Sequence, residues 1–282
     1  MSILDPAAYF HDHGYFVWPN FLSSADCDAL KSHADSLAVR LTQAVHPHAV
    51  FSAGVQSPDF DRYLIGSARN IRPFFEAHHD LERGPVCNKI GHALHVQDPV
   101  FKALANHTVW RRVATDLKLE NPQVCQSMIV FKSAHVGGSV QWHQDGTFLY
   151  AEPMPIIGFW LALEDADLGN GCLWVTPGAH HYGLHQRYVR GQHDRLEFRA
   201  INPHAGAATV PEMPARAVPV SKGTLVALHG HLPHRSEANR SSRGRCAVTF
   251  HALHASSQLD ALNWIHPPRL CSLGPSRTLD MS

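Results

Sequence analysis

Gln141-Trp142-His143-Gln144-Asp145-Gly146 is the stretch that decides how the rest of the chain is read. On an extended segment residues i and i+2 share a face, so His143 and Asp145 point one way and Gln144 the other. A His-x-Asp pair joined by one distant histidine makes a 2-His-1-carboxylate facial triad. That arrangement holds Fe(II) by one face and leaves the remaining positions open. Two neutral imidazoles and one carboxylate suit a borderline divalent ion, and the single negative charge keeps the site receptive to an anionic chelating ligand. The pair alone is a weak signal: the chain has 23 histidines, and His33-Ala34-Asp35 and His78-His79-Asp80 repeat the pattern.

A second constellation strengthens it. His234-Arg235-Ser236-Glu237-Ala238-Asn239-Arg240-Ser241-Ser242-Arg243-Gly244-Arg245 leads into the apolar run Cys246-Ala247-Val248-Thr249-Phe250. Asn239, Ser241, Ser242 and Gly244 are turn formers, so the stretch reads as strand, loop, strand. An arginine opening a buried strand needs a partner, and the free carboxylate of a metal-bound ligand would be a bidentate one.

Taken together, His143-x-Asp145-Gly146-Thr147-Phe148, Asn170-Gly171-Cys172-Leu173-Trp174, Pro177-Gly178-Ala179-His180 and His234-x-Ser236-x-x-Asn239-x-Ser241-x-x-x-Arg245 resemble the phytanoyl-CoA dioxygenase family. The likeness to its phytanoyl-CoA dioxygenase domain-containing members is closer. It adds Asn88-Lys89-Ile90-Gly91-His92-Ala93-Leu94-His95, Gln126-Ser127-Met128, Phe131-Lys132, Gly137-Gly138 and Phe148-Leu149-Tyr150-x-Glu152-Pro153, and it runs from Asp12-His13-Gly14 to about Trp264. The resemblance implies a mainly β double-stranded β-helix (jelly roll, cupin-like barrel) with N-terminal and flanking helices. It also implies an enzyme that uses Fe(II), 2-oxoglutarate and O₂ to hydroxylate an unactivated C–H bond of a small molecule, releasing succinate and CO₂.

Position by position, the resemblance makes His143, Asp145 and His234 the metal ligands. His229, His231 and His234 compete for the third place, but His231 sits in a Gly-x-Leu-Pro turn, His229 ends the preceding strand, and only His234 carries the Ser-Asn-Ser-Arg pattern. Arg245 matches the arginine that grips the distal carboxylate of 2-oxoglutarate, and Ser236 its hydroxyl partner; Arg243, a rival, falls in the loop. Lys89, Met128, Thr147 and Trp160 fall where relatives contact the co-substrate, although Met128 and Trp160 also read as ordinary strand residues facing a core. Asp145 separates the chain from halogenating relatives, which lack the carboxylate. Two rival readings are a 2-oxoglutarate-independent cupin-type metal enzyme, which normally offers His-x-His and a following Glu, and a catalytically inactive ligand-binding relative.

Composition agrees. With 24 basic and 24 acidic residues, no global field draws the protein to nucleic acid or an anionic membrane. Six cysteines without a Cys-x-x-Cys read as reduced thiols. No basic-then-apolar leader or long apolar run is seen, and the expectation is a cytoplasmic monomer or weak homodimer acting on a small-molecule substrate, with no nucleic-acid or membrane partner.

The organisation expected is a single domain over 1–282: helical and edge-strand support over 1–120, and a β-helix core over about 122–255. Tyr15 to Pro19 reads as a short edge strand. Ser23 offers an N-cap to a helix from about Ser24 to Leu41, striped by Leu30, Ala34, Leu37 and Leu41. Val45 to Gly66 reads as a surface loop, and Pro99 to Leu117 as a second helical region. Short apolar runs at Val124–Phe131, Ile156–Leu163, Cys172–Val175, Gly223–Leu228 and Arg245–Leu253 supply the β core. The polar stretch 186–220 reads as a long irregular loop and a candidate lid. Its Arg187, Arg190, Arg195 and Arg199 form either a basic patch for coenzyme A phosphates or an ordinary solvated face.

Overall fold

Two sheets pack across an interior in the computed structural model, which describes residues 5–44, 50–51, 57–76, 84–201 and 213–275. The larger follows the order Tyr15–Trp18, Leu225–His229, Ile157–Ala162, Arg245–Leu253, Gln123–Lys132, Cys87–His92, Ile71–Glu76, Val50–Phe51, with Cys271–Ser272 added to Gln123–Lys132. All its pairings are antiparallel except the last one along the path. The smaller runs Arg216–Val218, Leu173–Val175, His234–Ser236, Val140–His143. This is the double-stranded β-helix, with its helices on the outer face of the larger sheet.

Strand alternation divides the interior. Along Arg245–Leu253 every residue is buried. Cys246, Val248, Phe250 and Ala252 face outward into a core shared with Leu30, Ala34, Leu37, Phe101 and Trp110 of the covering helices. Ala247 faces inward into a second cluster, closed by Leu173, Val175 and Val218 of the smaller sheet. Leu253 enters a third, with Leu64, Tyr188 and Trp264. Between these inner clusters the strand turns Arg245, Thr249 and His251 toward a cavity.

The helix beginning at Ser24 runs to Ala44, and Ser23 caps it: the Asp26 N–H donates to Ser23 Oγ (3.1 Å), and the hydroxyl donates to the Asp26 carboxylate (2.6 Å). Tyr15–Trp18 is the edge strand the sequence suggests, paired with Leu225–Leu228. The six cysteines are free, and four of them are buried.

Four expectations need correcting. Within Val45–Gly66, the described part includes a helix, Pro58–Ser67; Pro58 occupies its first turn, where a missing N–H costs nothing, and Ser57 caps it. Residues 45–49 and 52–56 lie outside the described residues. The region Pro99–Leu117 is helical but broken into two short helices, Pro99–Ala105 and Trp110–Asp116, with Trp110 buried in the core. Strands Ile71–Glu76 and Cys87–His92, from the part read as helical support, extend the larger sheet. Finally, 186–220 is not irregular throughout: Gln186–Arg190 pairs with Leu196–Ala200 as a hairpin and Arg216–Val218 is a strand, while 202–212 lie outside the described residues.

His95 sets a pH limit on this packing. It is 1% exposed, its backbone N–H donates to Ser127 Oγ (3.0 Å), and its Nδ1 bonds the same hydroxyl (2.7 Å). Its Nε2 is buried without a partner. Burial therefore pushes the imidazole from 6.5 down to about 4. Above pH 6.5 neither the folded nor the unfolded form is protonated there. Below it the unfolded chain takes up a proton that the folded chain refuses, so stability falls as pH drops. Urea unfolding of metal-free protein should lose about 3 kcal/mol through His95 between pH 7 and pH 4. His95→Gln should show a correspondingly shallower pH dependence; an equal slope in the two proteins would remove His95 as its source.

Candidate active site

His143 ends the strand Val140–His143, and His234 begins its partner in the smaller sheet; the two are register partners, with ring centroids 4.1 Å apart. Asp145 is not on the strand as expected. The strand stops at His143, and Asp145 opens a single turn of helix, Asp145–Phe148. The alternation survives because Gln144 between them is still extended (φ −119°, ψ 131°). Gln144 turns away and ties down neighbouring loops, its Nε2 donating to Gly183 O (2.8 Å) and His231 O (2.6 Å).

His143, Asp145 and His234 offer ligand atoms that all lie within 4.8 Å of one another, a group able to hold a metal ion. Asp145 Oδ1 stands 3.7 Å from His143 Nε2 and 3.6 Å from His234 Nε2, too far for hydrogen bonds and suited to three donors around one ion. Each histidine is oriented from behind: Nδ1–H of His143 donates to Gln141 O (2.8 Å) and that of His234 to Leu232 O (3.0 Å). These bonds assign the proton to Nδ1 and leave the Nε2 lone pairs facing the site. Of the competitors, His231 gives its N–H to His229 Nδ1 (3.1 Å), and His229 packs against the His180 ring at 4.7 Å; neither joins the group.

The charges suit an ion. Burial would raise the Asp145 carboxyl, but His234, His251 and His143 around it hold it well below the usual carboxylate range. Burial, with the nearby His234, pushes His143 down to about 4, so its imidazole is neutral at neutral pH.

Two residues not singled out from the sequence, His251 and Gly158, complete the site. His251 Nε2 lies 3.2 Å from Asp145 Oδ2, the oxygen turned away from the other two histidines, and fixes the carboxylate's rotation. Gly158 sits opposite His251 in the sheet, and a Cβ there would come within 2.5 Å of Asp145 Oδ2. One strand position therefore stays bare so that the carboxylate can lie against the sheet. Strand alternation counted inward from Arg245 would have found Thr249 and His251.

The site opens into a cavity of about 720 Å³ whose walls include Lys89, Met128, Thr147, Trp160, Ser236 and Arg245, so every residue singled out for the co-substrate lines one space. Met128 is only partly covered, whereas Trp160 belongs both to the core and to the cavity wall. A more open depression bordered by Glu152, Pro153 and Asp260 touches none of the triad.

Arg245 is 2% exposed. One Nη donates to Gly171 O (2.7 Å), the guanidinium lies over the Trp160 ring (5.2 Å to the centroid), and Nε is buried without a partner. Burial lowers its pKa to about 10, which leaves it charged at neutral pH. Thr249 Oγ1, on the same strand face, is likewise buried and unpartnered. An orphaned cationic donor and a hydroxyl at one cavity, with a cation-binding triad in its wall, fit an anionic chelating co-substrate.

The motif residues around Arg245 act through its loop. Gly171 has φ +86°, and a Cβ there would meet Glu237 O at 2.4 Å, so only glycine brings its carbonyl to the guanidinium. Asn239 is the knot of the 237–244 loop, its Nδ2 donating to Lys132 O (2.9 Å) and Arg243 O (2.7 Å) and its Oδ1 accepting from the Ser241 N–H (2.9 Å). Arg243 itself points out to Asp167 (2.5 Å). Lys132, the register partner of Arg245, is buried and donates to Glu237 O (2.8 Å) and Gly138 O.

The chain is similar to known proteins over nearly its whole length. The chain matches the family described as Phytanoyl-CoA dioxygenase (PhyH) over residues 10–247. It is 36% identical over 286 residues to "Phytanoyl-CoA dioxygenase domain-containing protein 1" of Bos taurus, covering 95% of this chain and 96% of that one. It is 34% identical over 274 residues to "Phytanoyl-CoA dioxygenase" of Arabidopsis thaliana, with 94% of each covered. Among solved structures, EctD from S. alaskensis with bound Fe is similar with a TM-score of 0.66 and 19% identity, over 97% of this chain and 86% of that one. The non-heme alpha ketoglutarate dependent carbocyclase SnoK from nogalamycin biosynthesis gives 0.62 and 20%, over 91% and 86%. The family match and the whole-length relatives identify the chain as a member of the phytanoyl-CoA dioxygenase family, the non-haem Fe(II)/2-oxoglutarate-dependent oxygenases.

Proposed function

We propose that this oxygenase hydroxylates an unactivated C–H bond of a small molecule, with His143, Asp145 and His234 holding the iron and Arg245 holding the distal carboxylate of 2-oxoglutarate. The observation that carries the reading is the sharing of one cavity by the convergent donor group and the Arg245 guanidinium, whose Nε is buried without a partner. The iron and 2-oxoglutarate supply the oxidation of the C–H bond by O₂, with succinate and CO₂ as co-products.

The protein's part is positioning. The two carbonyls behind His143 and His234 hold the ring protons at Nδ1 and turn Nε2 toward the site, and His251 holds Asp145 so that one oxygen would face the ion. Arg245, flattened against Trp160 and anchored on Gly171 O, presents its remaining N–H donors to a carboxylate, and the Ser236 and Thr249 hydroxyls add hydrogen bonds to it. Lys89, which burial brings down to about 8 and whose ammonium lies over the Phe74 ring (4.6 Å), adds positive charge to the cavity wall. Thr147, Met128 and Trp160 complete the wall and exclude water. A cupin-type enzyme without the co-substrate would have no use for an arginine buried in this way.

Anaerobic titration of metal-free protein with Fe(II) and then 2-oxoglutarate should produce the visible metal-to-ligand charge-transfer band. Arg245→Ala should weaken 2-oxoglutarate binding by about 100-fold, the scale of losing a buried charge-assisted pair. Iron binding without a band in the wild type would sink the co-substrate assignment and favour the cupin-type reading.

His251→Ala and Gly158→Ala disturb Asp145 without removing a ligand. Each is expected to lower Fe(II) affinity roughly 10- to 100-fold, the usual loss when a residue orienting a metal ligand is changed. Competition with a chelator of known affinity measures this, and wild-type affinity in both variants would show that Asp145 needs no such support.

A further inference from the structure

The cavity has two ends of different character. Arg245 and His251 face it from the same strand, separated by about 20 Å at the usual strand rise. Around Arg245 the walls are polar and charged. At the His251 end they belong to the third apolar cluster, with Leu64, Leu149, Tyr188 and Trp264 buried and Phe60 and Phe148 packed against them. Tyr188 and Phe198 are register partners across the Gln186–Arg190/Leu196–Ala200 hairpin, with rings 4.7 Å apart. The Phe148 ring lies 5.5 Å from Tyr188 and 6.1 Å from Phe198. Phe198 is 51% exposed although it lines the cavity. One side of this ring packs on Tyr188 and Phe148, and a ligand ring in the cavity would cover the other.

The hairpin's four arginines are each engaged by a carboxylate: Arg187 with Asp260 (2.5 Å), Arg190 with Asp194 (2.7 Å), Arg195 with Asp61 (3.1 Å) and Arg199 with Glu197 (2.6 Å). No basic patch remains there for the phosphates of coenzyme A. Among the described residues, Asp145 is the one carboxylate lining the cavity, and it faces three histidines, so no acid is left to receive an ammonium group. Apart from Lys89, whose ammonium lies over the Phe74 ring (4.6 Å) and which the proposed function gives to the co-substrate, the polar groups left over are neutral. Trp264 Nε1 is buried without a partner, and the Gln126 side chain, 4% exposed, lines the cavity.

We propose that the substrate is a neutral, ring-bearing small molecule, not a coenzyme A ester, whose flat body lies among Phe148, Tyr188 and Phe198 and whose polar group is met by Trp264 Nε1 and the Gln126 amide. This rests on the oxygenase reading for its chemistry but not for its recognition. A cavity of about 720 Å³ has room for such a molecule beside the co-substrate.

Equilibrium dialysis at pH 7 with 1-naphthol, 1-naphthoate and octanoyl-CoA tests it, on metal-free protein and on anaerobic protein carrying Fe(II) and 2-oxoglutarate. The neutral naphthol should bind at least tenfold more tightly than the naphthoate, and octanoyl-CoA should not displace it. Phe198→Ala should weaken naphthol binding about fivefold, in line with loss of an aromatic contact. Being half exposed, Phe198 can be replaced without emptying the core, and Tyr188→Leu gives a second variant that keeps its apolar volume; thermal melting confirms that both fold. Octanoyl-CoA displacing naphthol, equal binding of naphthol and naphthoate, or unchanged binding in Phe198→Ala would each overturn the proposal. If naphthol binds as expected but no charge-transfer band forms, the oxygenase reading fails and the ring chamber stands; a band without naphthol binding gives the reverse.

Discussion

A strand buried on both faces must satisfy whatever it carries inward, and Arg245–Leu253 carries an arginine, a threonine and a histidine. A guanidinium out of water is costly unless its donors are paired. Much of that end of the barrel is arranged around this requirement. Gly171 adopts a left-handed turn to bring a carbonyl to Nη, Trp160 covers the guanidinium face, and Asn239 ties the preceding loop to Lys132 and Arg243. What this leaves unsatisfied, Nε and the Thr249 hydroxyl, lies beside a cavity. Such a pair is best understood as completed by ligand: a fold that spent so many contacts on an arginine would otherwise have done better with an apolar residue.

The same double burial explains what the sequence hid. Helix Ser24–Ala44 was legible because one stripe of apolar residues repeats at helical spacing. The triad was legible because its residue types are chemically specific and flanked by turn motifs. Arg245–Leu253 shows no polar alternation, since its outward face is as apolar as a core. Thr249 and His251 therefore look like interruptions in an apolar run, and one histidine among 23 attracts no notice. Gly158 was invisible for a related reason: its role is a missing side chain, which makes sense only once Asp145 Oδ2 is seen against it. The hairpin at 186–200 was missed because ion pairs outside it hold it in place, Arg195 to Asp61 and Arg187 to Asp260, and their partners are distant in sequence.

Three histidines within six residues show how backbone direction, not residue type, assigns chemistry. His229 closes a strand and packs on His180, His231 turns its carbonyl to Gln144, and His234 begins the next strand directly across from His143. The turn of Gly230 to Pro233 reverses the chain between them, and the Leu232 carbonyl within it sets the tautomer of His234. Gly146 belongs to the same device. Its N–H donates to Gly230 O (2.7 Å), and a Cβ there would press on that carbonyl and on His231, each at 3.0 Å. The helical turn that carries Asp145 is thereby locked to the turn that delivers His234. The three donors converge through two loops bonded to each other as much as through the sheet.

The two ends of the cavity rest on different kinds of structure. The Arg245 end is built on paired strands of both sheets, Gln123–Lys132, Ile157–Ala162, His234–Ser236 and Arg245–Leu253. The aromatic end draws on the hairpin, the Pro58–Ser67 helix and the 256–265 segment, which are joined to one another and to the loop after Asp145–Phe148 by side-chain bonds such as Arg187 to Asp260, Arg195 to Asp61 and Asn263 to Tyr150. A sheet resists change because a shift of one residue reverses every side chain on it. Peripheral elements can be altered without disturbing ladder hydrogen bonds. A family that keeps one oxidant and varies its substrate needs this division, rigid where iron and 2-oxoglutarate must always fit and replaceable where the target lies. On that ground, relatives of this chain should agree around Arg245 and diverge around Tyr188 and Phe198.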